Sequence, residues 1–88
     1  MEDKNYNLSK KIAIFLKQKR EDLNLTQEKL AEISGIEYKH IQNLESFKRL
    51  NDPKISTLLK LSKGLGIKIE DIIKEIFENQ SGDNNKTL

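Results

Sequence analysis

Apolar residues recur along this chain at spacings of three and four, the mark of helices with one buried face. Leu8, Ile12, Phe15, Leu16 and Leu23 make the first stripe and predict a helix from about Leu8 to Leu23. Ile14 falls off that stripe and is left over for a contact with the last helix or with a partner. Asn24 follows, a residue that tolerates the left-handed turn at a helix end. In the next run, "LTQEKLAEISG", Thr26 is a good N-cap. Leu25 and Leu30 form a hydrophobic staple across it. Glu28 lies in the first turn, where the helix dipole favours a negative charge. Gly35 ends this second helix, Gln27 to Ser34. The staple recurs with Ile36 and Ile41 at the entry to a third helix, Tyr38 to Glu45. It recurs again with Ile67 and Ile72 at the entry to a fifth.

Asp52-Pro53 starts the fourth helix, since proline suits the first helical position. That helix is expected to bury Ile55, Leu58, Leu59, Ser62 and Leu65. Gly64 inside it costs roughly 1 kcal/mol relative to alanine, and Gly66 stops it. The fifth, about Ile69 to Glu78, shows Ile69, Ile72, Ile73, Ile76 and Phe77. No segment alternates as a strand would. The pattern predicts an all-α domain of five helices over residues 8–78. A polar arm, residues 1–7, precedes it. A polar tail, residues 79–88, follows; having no apolar anchor but its last residue, it is expected to be disordered.

Length and composition change this picture in one respect. A chain of 88 residues makes one small domain that buries only about two-thirds of the surface exposed on unfolding. It has no cysteine, so disulfides and thiolate metal sites are excluded. Burial against a second copy is the remaining source of stability, which makes a homodimer a reasonable expectation. The polar start "MEDKNYNLSKK" is unlike a signal peptide, and no apolar run approaches membrane-spanning length. No membrane partner is expected, and the cytoplasm is a compatible location. The net charge of +2 is slight, but its distribution is uneven. Residues 39–68 are basic, and from Glu70 onward acidic residues outnumber lysines. A polyanion could be held at the basic end; on charge alone, an ordinary solvated surface is the favoured reading.

The stretch "SGIEYKHIQNLE", residues 34 to 45, is where chemistry concentrates. Ile36, Ile41 and Leu44 form one stripe. Between them sit Glu37, Tyr38, Lys39, His40, Gln42 and Asn43, nearly all able to hydrogen-bond at their tips. Helices 2 and 3 meet across a three-residue turn that includes Gly35, and Ala31 is small where they cross. Such a pair can present its second helix to the DNA major groove while the first lies against the backbone. A helix there gains specificity only from side chains that donate and accept at base edges.

The residues "LTQEKLAEISGIEYKHIQNLE" resemble the helix-turn-helix of the lambda-repressor and Cro/CI type, the XRE-like family. "KREDLNLTQ" is similar to the end of the family's helix 1, and "PKISTLLKLSKGLGIKIEDII" to its helices 4 and 5. The resemblance spans about Ile12 to Ile73. It implies a five-helix lambda repressor-like fold and a transcriptional regulator, such as a repressor or operon controller, that binds double-stranded DNA as a dimer. By the same resemblance Tyr38, Lys39, Gln42 and Asn43 meet bases. Gln27, His40, Ser46, Lys48 and Arg49 meet phosphates. Arg20 and Glu45 form a structural ion pair between helices 1 and 3. Two positions depart from the family. Phe47 stands where a glycine usually follows helix 3, ahead of a longer connection. Glu37 stands where a serine or threonine cap is common. Ile76 and Phe77, at the end of a helix longer than a small domain needs, are the expected dimer contact.

Catalysis has little support. With one histidine, no cysteine and no glycine-rich phosphate loop, the chain carries no recognisable site for a metal, a cofactor or a small-molecule ligand. The rival to DNA binding is a protein-interaction module, such as an antitoxin or adaptor, that uses the acidic end of the same scaffold to hold a partner.

Overall fold

The computed structural model describes residues 4–48 and 52–78. They form five helices: α1 (Lys4–Asp22), α2 (Gln27–Ser34), α3 (Tyr38–Leu44), α4 (Ile55–Leu65) and α5 (Ile69–Ile73), the last continued by a π-helical turn, Lys74–Glu78. The fold is all-α, as the apolar periodicity predicts.

The entries to the helices follow local chemistry. Thr26 caps α2, its hydroxyl accepting from the Lys29 amide at 3.0 Å. The three staple pairs stand at the entries to α2, α3 and α5. Leu30, Ile36, Ile41 and Ile72 lie in the core, with Leu25 and Ile67 packed against it. Asn24 takes φ +59°, the left-handed turn that its amide side chain tolerates. Helix α1 begins at Lys4, earlier than the predicted Leu8. Its apolar stripe marks where the helix touches the core, and residues 4–7 extend it because nothing among them breaks a helix.

Helix α4 corrects the predicted stripe. Thr57, Leu61 and Leu65 are buried. Leu58 and Ser62 are half-buried, while Ile55 and Leu59 are 62% and 43% exposed. The helix carries two overlapping apolar stripes, and its crossing with α2 selects between them. A Cβ on Gly64 would lie 2.8 Å from the Cβ of Ser34 and 3.2 Å from its Cα. The face holding Gly64 therefore turns toward α2, bringing Leu61 inward and rolling Ile55 and Leu59 out.

Helix α5 divides in the same way. Ile72 and Ile76 are buried, Ile69 is half-buried, and Ile73 and Phe77 face outward. Ile76 belongs to the core of the single chain, packed with Ile12, Phe15, Leu16 and Leu61 in one apolar cluster. The expected continuation of the helix to Glu78 is present, but its last turn is the wider π form.

Candidate nucleic-acid interface

The turn between α2 and α3 is built from three local devices. Gly35 adopts φ +74° and donates its amide to Ala31 O at 3.0 Å. The Ser34 hydroxyl accepts from the Ile36 amide at 3.3 Å. Ile36 then enters the core and sets the start of α3. The result is a short, hydrogen-bonded corner that sets α3 across the end of α2.

Ile36, Ile41 and Leu44 hold α3 from behind, all three buried. The opposite arc carries Tyr38, Lys39 and Gln42, all exposed, with Asn43 half-buried at its edge. The Gln42 Nε2 donates to the Tyr38 hydroxyl at 3.1 Å. His40 is half-buried on the flank between this arc and the core. At the N-cap, the Glu37 side chain makes no capping hydrogen bond, as expected for a residue in place of a serine or threonine.

A charged tie fixes α3 to α1. Arg20 Nε meets Glu45 Oε2 at 2.8 Å and Nη2 meets Oε1 at 3.0 Å, a two-pronged pair. The remaining guanidinium nitrogen, Nη1, donates to Leu25 O at 2.6 Å. The two side chains are only 12% and 4% exposed. The hydrogen bonds that Arg20 donates to the Glu45 carboxylate hold the Arg20 pKa above its ordinary value, against the opposing effect of partial burial. A raised cation pKa means that, on the arginine side, the contribution is present at neutral pH and is lost only as pH climbs through the folded-state value. For an arginine, that is outside any working range.

Gln27, at the first position of α2, donates its amide Nε2 to Glu45 Oε1 at 3.0 Å. The bond from Gln27 to this pair was not foreseen in the sequence, because it depends on α2 and α3 meeting across a turn whose geometry the spacing does not specify. A primary amide has two hydrogens, so one remains for an external acceptor.

Beyond α3, the Ser46 hydroxyl accepts from the Lys48 amide at 3.1 Å and closes a tight turn. Lys48 is exposed; Arg49 lies outside the described residues. Phe47 is half-exposed, with the Lys10 Nζ 5.9 Å from its ring centre, a cation–π distance. Lys10 is thus an additional cation beside the end of α3. Its place on the first helix gave no sign of this, and only the unusual phenylalanine in the loop hinted at a new contact.

Of the residues expected to contact a second copy, Ile76 is 3% exposed within one chain, whereas Phe77 is 49% exposed. Phe77 lines an apolar groove with Ile12, Ile55, Leu58 and Ile73. Ile14, the residue off the α1 stripe, is half-exposed in a shallow depression that Glu75 of the last turn also lines. Among the described residues, no cluster of His, Asp or Glu could hold a metal ion, and no helix is long and apolar enough to cross a membrane.

Residues 16–72 match the family described as Helix-turn-helix (HTH_3). Two crystal structures of the restriction–modification controller protein C.Esp1396I are similar to the whole fold. A tyrosine-to-phenylalanine mutant of it aligns with a TM-score of 0.72 at 25% identity, over 90% of this chain and 94% of that one. The wild-type controller aligns with a TM-score of 0.64 at 29% identity, over 81% and 95%. No curated protein matches the chain significantly.

Proposed function

This chain belongs to the helix-turn-helix family of the XRE, Cro/CI type, and we propose that it binds a roughly palindromic operator as a homodimer and so controls an operon. It is a DNA-binding transcriptional regulator and not an enzyme. The observation that carries the finer reading is the set of α3: aliphatic anchors behind, hydrogen-bonding tips outward. Lys39, Gln42 and Asn43 read base edges, with Tyr38 on the same face. Each good two-pronged contact discriminates by about 1–3 kcal/mol. The second amide hydrogen of Gln27, with His40, Ser46, Lys48 and Arg49, grips phosphates. Those contacts supply most of the affinity and a steep loss of it with salt.

A dimer places two copies of α3 about 34 Å apart, one turn of duplex, so a two-fold protein meets a two-fold site. The apolar groove at Phe77 supports that assembly, since an isologous interface joins the same patch on both subunits. The similar controller structures favour control of a restriction–modification operon, in the cytoplasm, where the duplex is. Selection of bound duplexes from a random pool tests the operator reading. A two-fold symmetric consensus is expected, and substituting both Gln42 and Asn43 by alanine should erase it while helicity persists. A wild-type protein that prefers no duplex over random sequence would favour the protein-interaction module, with the groove as its docking face. Genes for a nuclease and a methyltransferase beside this one are the expected genomic setting.

A further inference from the structure

Gln42 does not hang loose on the outer face of α3. Its Nε2 donates to the Tyr38 hydroxyl, one helical turn back, at 3.1 Å. Both residues are exposed, so this bond, and not packing, sets where the amide points. On the operator-binding reading, we propose that Tyr38 is a positioning residue that presents the Gln42 amide to a single adenine and does not itself read a base.

The chemistry follows from counting donors. A glutamine amide has two N–H donors and one carbonyl acceptor. The tyrosine oxygen takes one hydrogen. When the tyrosine takes the hydrogen that points away from the carbonyl, the other hydrogen and Oε1 remain side by side at the tip. In the major groove adenine offers an acceptor at N7 and a donor at N6, which match that remaining pair. Guanine offers acceptors at both N7 and O6, so Oε1 would face another lone pair. A glutamine fixed before binding also loses less side-chain freedom when it docks. The i, i+4 spacing of Tyr38 and Gln42 is what allows the arrangement, because such residues are neighbours on a helix surface.

The test uses the full chain and its selected operator, with a set of duplexes in which each A·T pair in turn becomes G·C. Equilibrium titration compares wild type, Tyr38→Phe, Gln42→Ala and the double variant. Wild type should disfavour the change at one pair per half-site by about tenfold or more. Gln42→Ala should remove that preference. Tyr38→Phe, which keeps the ring, should weaken it several-fold at the same pair and at no other. Added to Gln42→Ala, it should change nothing further there, the non-additivity of residues acting as one unit. Thermal unfolding of Tyr38→Phe should match wild type. A Tyr38→Phe variant that relaxes a different pair would make Tyr38 a direct reader and overturn the proposal. So would one that weakens every duplex equally, or one that leaves discrimination intact. A wild type without any preference would sink the operator reading itself, and that result appears before any variant is made.

Discussion

The outer faces of α3 and of the α4–α5 end differ in what lies on them and in how they are held. Behind the polar arc of α3 stand Ile36, Ile41 and Leu44, and the Arg20–Glu45–Gln27 tie locks its far end to α1 and α2. The α4–α5 end is apolar on both sides: Leu61, Leu65, Ile72 and Ile76 face in, while Ile55, Leu59, Ile73 and Phe77 face out. A helix whose polar and apolar positions are cleanly separated has one way to sit. A helix that carries apolar residues on its outer face as well, here among exposed lysines and carboxylates, leaves a second apolar patch in water.

The first way to break that contrast is to cut the tie. Glu45→Ala leaves the Arg20 guanidinium partly buried without its carboxylate. Urea unfolding should show a loss of about 3 kcal/mol, the scale of a broken buried pair. A loss under 1 kcal/mol would mean that the aliphatic anchors alone position α3. Next is the pair of α4 stripes. Leu61→Ala should cost about 2–4 kcal/mol as a core cavity. Leu59→Ala, measured at concentrations too low for self-association, should stay within about 0.5 kcal/mol as a surface change. Equal costs would overturn the assigned roll of α4.

Phe77→Asp addresses the other face. If the groove joins two copies, sedimentation should show self-association weakened on the order of a hundredfold, as for a buried aromatic anchor. The fold should persist, because Phe77 is half-exposed in the single chain. An unchanged mass in solution would free α5 from the interface. A smaller net effect at Gly64 is the most diagnostic of close packing. Gly64→Ala should favour the helix by about 1 kcal/mol on propensity. Its Cβ would press on the backbone of Ser34, and such overpacking typically costs about 1–3 kcal/mol. A net destabilisation near 1 kcal/mol by thermal unfolding is expected. A stabilised variant would show that α2 and α4 can separate freely.

Which positions of α3 face outward was mostly legible in the sequence. The residues on the arc of α3 could be named because the polar tips fall between three aliphatics at helical spacing. The ends of α2 were equally plain, since Thr26 and Gly35 act within a few residues of themselves. The partner of Gln27 and the approach of Lys10 to Phe47 were not legible. Both join residues far apart in the chain, and no local spacing encodes that distance.

Local preferences, then, were enough to specify how many helices form, where the caps and staples lie, and which side of α3 is polar. These are properties of neighbouring residues, and they act at short range. Which leucines of α4 go inward, how Ile76 and Phe77 part company, and what holds the amide of Gln27 were settled by helices meeting in space. Each of those outcomes turns on a contact between segments whose separation along the chain says nothing about their distance once folded.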